Sequence, residues 1–181
     1  MGQSLLSIDS DHLAFIEAQR VFFVATAAPD GRVNLSPKGL DALRVIDPNR
    51  VVWLNLSGSG NETASHLLEH PRITVMMCAF DGPPKVLRLY GMARTLHEGD
   101  PDWAELRALF PDYAGVRQIF DLAIDLVHIS CGMGVPIMQF VESRGETQLE
   151  PFFARLGPER TREYQRKKNR INLDGKPTDI I

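Results

Sequence analysis

Cysteine is scarce in this sequence, and long apolar runs are absent. The two cysteines, Cys78 and Cys131, stand among apolar residues and lack the C-x-x-C spacing of a zinc or redox site. We therefore expect two buried free thiols in a cytoplasmic protein rather than a disulfide. No apolar run reaches the ~20 residues that a membrane-spanning helix needs. Residues 1–11 also lack the basic and apolar regions of a signal peptide.

An excess of charge of one sign is missing as well. The chain has 20 Lys and Arg against 23 Asp and Glu, and its formal net charge of −3 argues against a generally basic nucleic-acid binder. Apolar residues make up 44% and charged residues 24%, which is typical of a globular domain and excludes a disordered or coiled-coil chain. A domain of this length buries roughly 70% of its unfolded surface, so it needs no disulfide or metal to fold.

Short strand patterns alternate with turns and helical patterns. The strand patterns cover residues 21–27, 32–38, 42–46, 51–56, 73–80, 85–96 and 122–130. The helical patterns cover residues 9–19, 62–69, 100–109, 113–120 and 151–170. Gly91 lies inside the long strand 85–96 and predicts a bulge or a close approach of the backbone. The order indicates a mainly β (α+β) fold, a small antiparallel barrel with peripheral helices.

The segment from residue 33 to residue 63 is the one most indicative of chemistry. One strand places Asn34, Ser36 and Lys38 on a polar face, and a later strand runs through a glycine-containing loop into a helix. The first N–H groups of a helix have no internal partners, and the helix dipole favours an anion there. This arrangement indicates an anion site, with phosphate as the best candidate. The alternative is a flexible loop in which Asn61 caps the helix.

The order of these segments resembles the pyridoxamine 5′-phosphate oxidase-like family of flavin-binding split barrels. The resemblance covers about residues 10–140 and is carried by VFFVATA, PDGRVNLSPKG, VVWLNLSGSGNETASHLLEHPR and ITVMMCAFDGPPKVLRLYGMAR. It implies a six-stranded antiparallel split β-barrel with peripheral helices over residues 1–145. Residues 146–181 would add a basic, helical C-terminal extension to the same domain. It also implies FMN as the cofactor, in a cleft at the interface of a homodimer.

The resemblance further implies a set of cofactor-binding residues. The strand 32–38 would line the flavin and its phosphate, the strand end at residues 55–57 would pass the isoalloxazine ring, and residues 61–63 would hold the phosphate. Arg88, on the long strand, would lie near the cofactor. The full set is Asn34, Ser36, Lys38, Asn55, Leu56, Ser57, Asn61, Glu62, Thr63 and Arg88.

Several positions differ from authentic pyridoxamine phosphate oxidases. Val33 or Asn34 stands where those enzymes have an arginine, and Glu62 and Thr63 stand where they have basic residues. Their basic and aromatic C-terminal segment has no match in residues 164–174. The sequence therefore predicts an FMN-dependent oxidoreductase of unknown substrate, with NAD(P)H as one candidate donor and no identified catalytic residue. The alternatives are a flavin-binding or stress-related protein without turnover, and a relative that binds haem or a deazaflavin.

Three other patterns are interpreted as structural. Residues 66–70 match H-x-x-E-H, the inverted zinc-peptidase motif, but Pro71 ends that helix at once, so we predict no metal site. Asp121 and Asp125 lie four residues apart, and we expect both to be solvated. The basic residues of the C-terminal extension are typical of a solvated helix face or of a surface that guides an anionic substrate. No nucleic-acid or membrane partner is expected.

Overall fold

The β-branched and aromatic runs of the sequence form strands of one antiparallel sheet. The computed structural model describes residues 2–180, and in that part of the chain the sheet has eight strands. The strands are β1 Gln3–Leu5, β2 Phe22–Thr26, β3 Asn34–Lys38, β4 Leu43–Asp47, β5 Arg50–Leu56, β6 Arg72–Cys78, β7 Val86–Leu96 and β8 Val116–Ser130. The helices are α1 Ser10–Ala18, α2 Glu62–Glu69, α3 Trp103–Arg107 and α4 Glu150–Asn169, with a π-helical turn at Gly145–Leu149. Over residues 2–180 we find no helix with the length and apolar character to span a membrane.

The sheet curls because its two end strands are neighbours in sequence. Its order is β3-β2-β6-β7-β8-β5-β4, and β1 pairs separately with β8. Residues 39–42 join β3 directly to β4, so the two end strands of the sheet are connected at one end. β3 and β5 are not hydrogen-bonded to each other, and the gap between them is called the split below. The Leu54 N–H donates to the Ala42 carbonyl at 2.9 Å and closes this corner. The predicted mainly β barrel with peripheral helices is confirmed.

Aromatic residues fill the barrel core where the split begins. Trp53 on β5 lies between Phe22 on β2, at a centroid distance of 6.1 Å, and Phe120 on β8, at 4.7 Å. Along β2 the side chains alternate between buried and half-buried, as a strand with one face on the core requires. Other fully buried core side chains are Val24, Leu54, Met77, Leu87, Leu89 and Ile119.

The strand count differs from the expected six, and one predicted helix is wrong. Gln3–Leu5 forms a short strand against β8, which the sequence did not indicate. Residues 113–120 were expected to be helical, but β8 already begins at Val116. Ile119 and Phe120 are held as strand residues because β5 pairs with them on one side and β7 on the other. Pairing on two sides outweighs the local preference.

Two cysteine expectations had different outcomes. Both thiols are free, as predicted. Cys78 is buried at the end of β6, whereas Cys131 is exposed just after β8, because the chain leaves the sheet at that point.

The glycine in the long strand marks a close approach of two backbones. The register of β7 on β8 shifts between Tyr90 and Gly91, as in a β-bulge. A Cβ atom at Gly91 would lie 1.9 Å from the Ala123 carbonyl oxygen, so only glycine fits there. The predicted bulge at Gly91 is confirmed.

Asp121 is buried and paired, contrary to the expectation that it is solvated. On β8, its carboxylate accepts hydrogen bonds from Arg50 Nε at 2.8 Å and from Arg94 Nη2 at 2.8 Å. Burial on its own would raise the pKa of Asp121, but the hydrogen bonds and charges of Arg50 and Arg94 outweigh it and lower that pKa. Asp125, four residues further along β8, is exposed as predicted. The ion pairs tie β5, β7 and β8 together.

Replacing this carboxylate should destabilise the fold at neutral pH. We expect Asp121→Asn to lower the free energy of unfolding at pH 7 by about 2 kcal/mol, because two arginines lose their charged partner. Since the pKa of Asp121 is lowered in the folded chain, its stabilising contribution is present above pH ~4 and is lost as the pH falls. Urea titrations at pH 7 and pH 3 measure this difference. Asp125→Asn is the matched control, and an equal loss in both variants would contradict the role assigned to Asp121.

Candidate functional site

A groove of about 1840 Å³ follows the split between β3 and β5. Its walls are those two strands, the start of α2 and residues 138–149, and the segment 57–61, here called the polar loop, forms one end. Every residue of the predicted cofactor set lines this groove except Arg88. Arg88 lies on β7, where its guanidinium donates to the Ser130 hydroxyl at 3.0 Å. The structure therefore brings two separate sequence segments, 34–38 and 55–63, into one site.

The β3 wall follows the predicted alternation. Asn34, Ser36 and Lys38 are half-buried and face the groove, whereas Val33 and Leu35 are 74% and 64% exposed. Asn34 Nδ2 donates to the Thr63 hydroxyl at 3.3 Å and so ties this strand to the first turn of α2. The polar face of β3 is thus held against the helix start.

Lys38 spans the split with its ammonium group over an aromatic ring. Its Nζ lies 5.0 Å from the centroid of the Trp53 ring on β5. Burial, together with the nearby positive charge of Arg117, lowers the pKa of Lys38 to about 8. No carboxylate within residues 2–180 offsets this charge.

Arg117 is the principal site residue that the sequence did not indicate. It lies on β8, is 8% exposed, and donates from Nη1 to the Gly60 carbonyl at 2.9 Å and from Nη2 to Asn55 Oδ1 at 3.1 Å. Its Nε is buried without a hydrogen-bond partner. Burial lowers the pKa of Arg117 to about 10. The aromatic and β-branched residues at 119–120 were the signal that the strand pattern continued upstream to this position.

Two cations, the half-buried Lys38 and the buried Arg117, form no ion pair within the described residues and define the electrostatics of the groove. Removing a charge from water is costly unless an opposite charge or hydrogen bonds compensate for it. Lys38 and Arg117 lack such an acidic partner, and Arg117 keeps one donor free. The groove therefore fits an anionic ligand whose oxygens accept from these groups.

The first turn of α2 lines the same groove and has no side-chain cap. Asn61 occupies the N-cap position, yet its side chain makes no capping hydrogen bond. Its amide is instead bound to Asn55 at 3.1 Å and to Gln118 at 3.0 Å. The alternative in which Asn61 caps the helix is therefore wrong. The N–H groups at the start of α2 have no side-chain cap and carry the positive end of the helix dipole.

Glu62, the acidic residue that would repel a phosphate, is hydrogen-bonded by a backbone N–H of the C-terminal segment. Its Oε2 accepts a hydrogen bond from the Leu173 N–H at 3.2 Å. Residues 165–176, here called the C-terminal clasp, also reach the polar loop. Gln165 Nε2 donates to the Ser57 hydroxyl at 2.8 Å, and Asn169 Nδ2 donates to the Gly58 carbonyl at 2.8 Å. The clasp thus orders the polar loop and occupies the carboxylate of Glu62.

The basic C-terminal extension is helical, as the sequence indicated, with one interruption. Gly157 has a φ of 76°, which breaks α4 just before Pro158. The basic side chains between residues 155 and 170 are exposed, and Lys168 among them lies at the groove. The others are Arg155, Arg160, Arg162, Arg166, Lys167 and Arg170. Lys176, further along, is half-buried and pairs with Asp30 and Glu69.

The H-x-x-E-H motif belongs to the structural part of α2. His66 is buried and its Nδ1 lies 3.0 Å from the Thr26 hydroxyl, whereas His70 ends the helix near Arg72. Within residues 2–180 no three His, Cys, Asp or Glu side chains gather as metal ligands. His66 fastens α2 to β2, which positions the helix start at the groove.

Comparisons with known proteins agree on one family. The family model described as pyridoxamine 5′-phosphate oxidase matches residues 8–131. The pyridoxamine 5′-phosphate oxidase family protein ustO from Aspergillus flavus is 37% identical over 175 residues, which cover 88% of this chain and 70% of that protein. The match of the family model ends before α4 and the C-terminal clasp.

Solved structures share the fold at low sequence identity. HupZ from Group A Streptococcus has a TM-score of 0.54 at 14% identity, over 66% of this chain and 92% of that chain. A candidate pyridoxamine 5′-phosphate oxidase from Lactobacillus delbrueckii has a TM-score of 0.52 at 15% identity, over 68% and 98% of the two chains. At these identities the likeness shows the barrel architecture alone.

The uncompensated charge of Lys38 should cost stability when no ligand is bound. Because the pKa of Lys38 is lower in the folded chain than its usual 10.5, the unfolded chain binds more protons between pH 8 and pH 10.5, and stability rises with pH there. We expect Lys38→Met to raise the free energy of unfolding at pH 7 by about 1 kcal/mol. This is a net gain, because removal of the charge stabilises the fold while loss of the contact with Trp53 destabilises it. Denaturant titrations at pH 7 and pH 10 test this, and the gain should shrink at pH 10.

Lys85→Met is the matched control for this variant. The Lys85 ammonium also lies 5.0 Å from an aromatic centroid, that of Phe15, but outside the groove. We expect no gain in stability from Lys85→Met. A stability of Lys38→Met that falls below that of the unaltered chain at pH 7 would contradict the uncompensated charge.

Proposed function

Because the chain belongs to the pyridoxamine 5′-phosphate oxidase family, we propose that it binds FMN and acts as an FMN-dependent oxidoreductase on a small-molecule substrate. NAD(P)H is the candidate electron donor. One observation carries the proposal above the others. The half-buried Lys38 and the buried Arg117 have no carboxylate partner within residues 2–180 and share the groove with an uncapped helix N-terminus. A phosphate monoester provides the charge and the acceptor oxygens that such a site requires.

The residues of the groove suit both halves of FMN. The guanidinium of Arg117, the first N–H groups of α2 and the hydroxyl of Thr63 would hold the phosphate. Trp53, Leu56 and Phe140 supply apolar surface on which a planar ring system can pack. Asn34, Ser36 and Asn55 are polar groups along the same walls and would orient the ring. The donor set and the apolar surface therefore fit the cofactor.

The groove is larger than one cofactor requires. Small-molecule sites have volumes of roughly 300–1,000 Å³, whereas this groove has a volume of about 1840 Å³. We assign the additional space to the substrate. Bound FMN supplies the redox chemistry, while the chain provides position, exclusion of water and local positive charge. Lys38 holds a proton that it can release near neutral pH, because burial lowers its pKa to about 8.

The active unit is proposed to be a homodimer with the cofactor at the interface. The segment 133–141 has no regular secondary structure and exposes Ile137 and Val141 at 85% each, although both are large and apolar. Phe140 in the same segment is both exposed and part of the groove wall. Exposed apolar side chains in one segment are typical of an interaction surface. A second copy of the chain is the occupant that the family resemblance implies.

Flavin binding is tested first by the selectivity for the phosphate. We expect the purified protein to bind FMN more tightly than riboflavin, which lacks the phosphate, in titrations of flavin fluorescence. Arg117→Met should weaken FMN binding between tenfold and a hundredfold, since a charged hydrogen bond is lost, and should change riboflavin binding little. Arg72→Met, at an exposed arginine outside the groove, is the control. A wild-type chain that binds neither flavin overturns the proposed function.

Turnover is tested by anaerobic reduction of the FMN-loaded protein. Bleaching of the flavin absorbance by NADH or NADPH at a rate above that of free FMN supports a reductase. Absence of bleaching with either donor, together with tight FMN binding, would instead favour a flavin-binding protein without turnover.

The dimer is tested by light scattering of matched variants. We expect the unaltered chain to have about twice its mass of 20.3 kDa, and Ile137→Asp to shift it to the monomer and to weaken FMN binding, because a buried carboxylate opposes association. Leu6→Asp changes an equally apolar residue that is 79% exposed elsewhere, and it should leave the dimer intact. A monomeric wild-type chain that binds FMN contradicts the proposed interface.

A further inference from the structure

We propose that Gln118 is the positioning residue of this site: it withdraws the side chain of Asn61 from the capping position and thereby keeps the N-terminus of α2 open to an anion. This inference rests on the proposed binding of a phosphate-bearing cofactor and names a residue that the cofactor does not need to touch. Gln118 lies on β8, is fully buried and does not line the groove.

The orientation of every amide in the network follows from Arg117. A guanidinium only donates, so the atom of Asn55 that faces Arg117 Nη2 at 3.1 Å is the acceptor Oδ1. The Asn55 Nδ2 group must then donate, and it does so to Asn61 Oδ1 at 3.1 Å and to Gln118 Oε1 at 3.2 Å. Only one assignment of the amide groups satisfies all of these contacts.

The same logic makes Gln118 the acceptor for Asn61. Asn61 Nδ2 donates to Gln118 Oε1 at 3.0 Å, so both hydrogen-bonding groups of the Asn61 side chain point into the network. The amide group of Gln118 is left to donate, and its Nε2 lies 3.0 Å from His97 Nε2. His97 Nε2 therefore accepts that bond, which fixes the ring as the neutral tautomer with its proton on Nδ1.

Asn61 would otherwise be an effective cap. Asparagine is among the residues that most often accept hydrogen bonds from the N–H groups of a helix start. Asn61 has the non-helical backbone of an N-cap, with φ −148° and ψ 43°, yet makes no capping bond. A capping oxygen would occupy the donors that a phosphate needs. Because Asn61 is withdrawn, the chain without ligand lacks a side-chain cap on α2. The first N–H groups of the helix then stay available to the ligand.

A second, independent feature points to a ligand at the same place. The Arg117 side chain lines the groove and is 8% exposed, and its Nε is buried without a hydrogen-bond partner. Its Nη1 donates a hydrogen bond to the Gly60 carbonyl at 2.9 Å, so that carbonyl is directed toward the guanidinium. The network thus keeps two acceptors, the Gly60 carbonyl and the Asn61 amide oxygen, occupied within the protein.

The first experiment compares FMN with riboflavin on Gln118→Met. Methionine fills the volume of glutamine but offers no strong acceptor, so the Asn61 amide keeps only its bond from Asn55 and can turn to cap α2. We expect FMN binding to weaken about fivefold, the ratio that one capping bond represents, with riboflavin binding unchanged. In an Asn61→Ala background the same change should have a much smaller effect on FMN. Equal weakening of both flavins would show a merely structural role and would overturn the inference.

The second experiment leaves Gln118 in place and changes only the cap. A serine at position 61 can cap a helix but is too short to reach Gln118, whereas an alanine cannot cap. We expect Asn61→Ser to be the more stable of the two variants without ligand and to bind FMN about fivefold more weakly than Asn61→Ala. Stability and affinity should therefore move in opposite directions. Identical FMN affinities for these two variants would overturn the inference.

A measurement without ligand separates this inference from the proposed function. Amide hydrogen exchange at Glu62, Thr63 and Ala64 should be slower in Asn61→Ser and Gln118→Met than in the unaltered chain, because a cap protects those N–H groups. If the unaltered chain binds no FMN, the proposed function fails whatever the exchange shows. If it binds FMN but exchange is the same in all chains, Gln118 does not control the cap and the inference fails alone.

Discussion

The cost of burying positive charge is the constraint around which this protein is organised. Arg117 and Lys38 enter the groove from β8 and β3, and neither forms an ion pair within the described residues. By contrast, the buried Asp121, further along β8, is matched by two arginines. The same strand thus carries one satisfied ionic cluster and one unsatisfied cation. This contrast motivates the proposal that a ligand supplies the missing charge.

The uncapped start of α2, the polar loop and Arg117 form one unit because the hydrogen bonds among them have a single direction. Donation runs from Arg117 through Asn55 and Asn61 to Gln118, and from Gln118 to His97. Such a network keeps its donors oriented before a ligand arrives, so little reorganisation accompanies binding. A phosphate dianion is the proposed ligand because Lys38, Arg117 and the first turn of α2 line the same groove.

The C-terminal clasp extends the site beyond the part of the chain that the family model covers. Gln165 and Asn169 hold the polar loop, and the Leu173 N–H engages Glu62. These contacts explain how an acidic residue is accommodated at the start of α2, where family enzymes carry basic residues. The sequence left the role of the basic extension open. In the structure it supplies Lys168 and residues 171–173 to the lining of the groove.

Much of the barrel was predictable because it depends on local patterns. Alternation identified the groove face of β3, from Asn34 to Lys38, and the β-branched and aromatic run of β5 marked a core strand. The turn chemistry and the glycine loop indicated an anion site at the start of α2. Gly91 indicated a bulge, since a glycine within a strand pattern has few other uses.

Sequence alone therefore determined the fold class and identified most of the residues that line the groove. Only the tertiary structure decided which cations reach that site and that Asn61 does not cap the helix. It also decided that Arg88 lies outside the groove and that Asp121 is paired with two arginines. The physical reason is range: periodicity and turn preferences act between neighbours in sequence. Arg117 meets Gly60, and Gln118 meets Asn61, only because β5 and β8 pair across about sixty residues of chain.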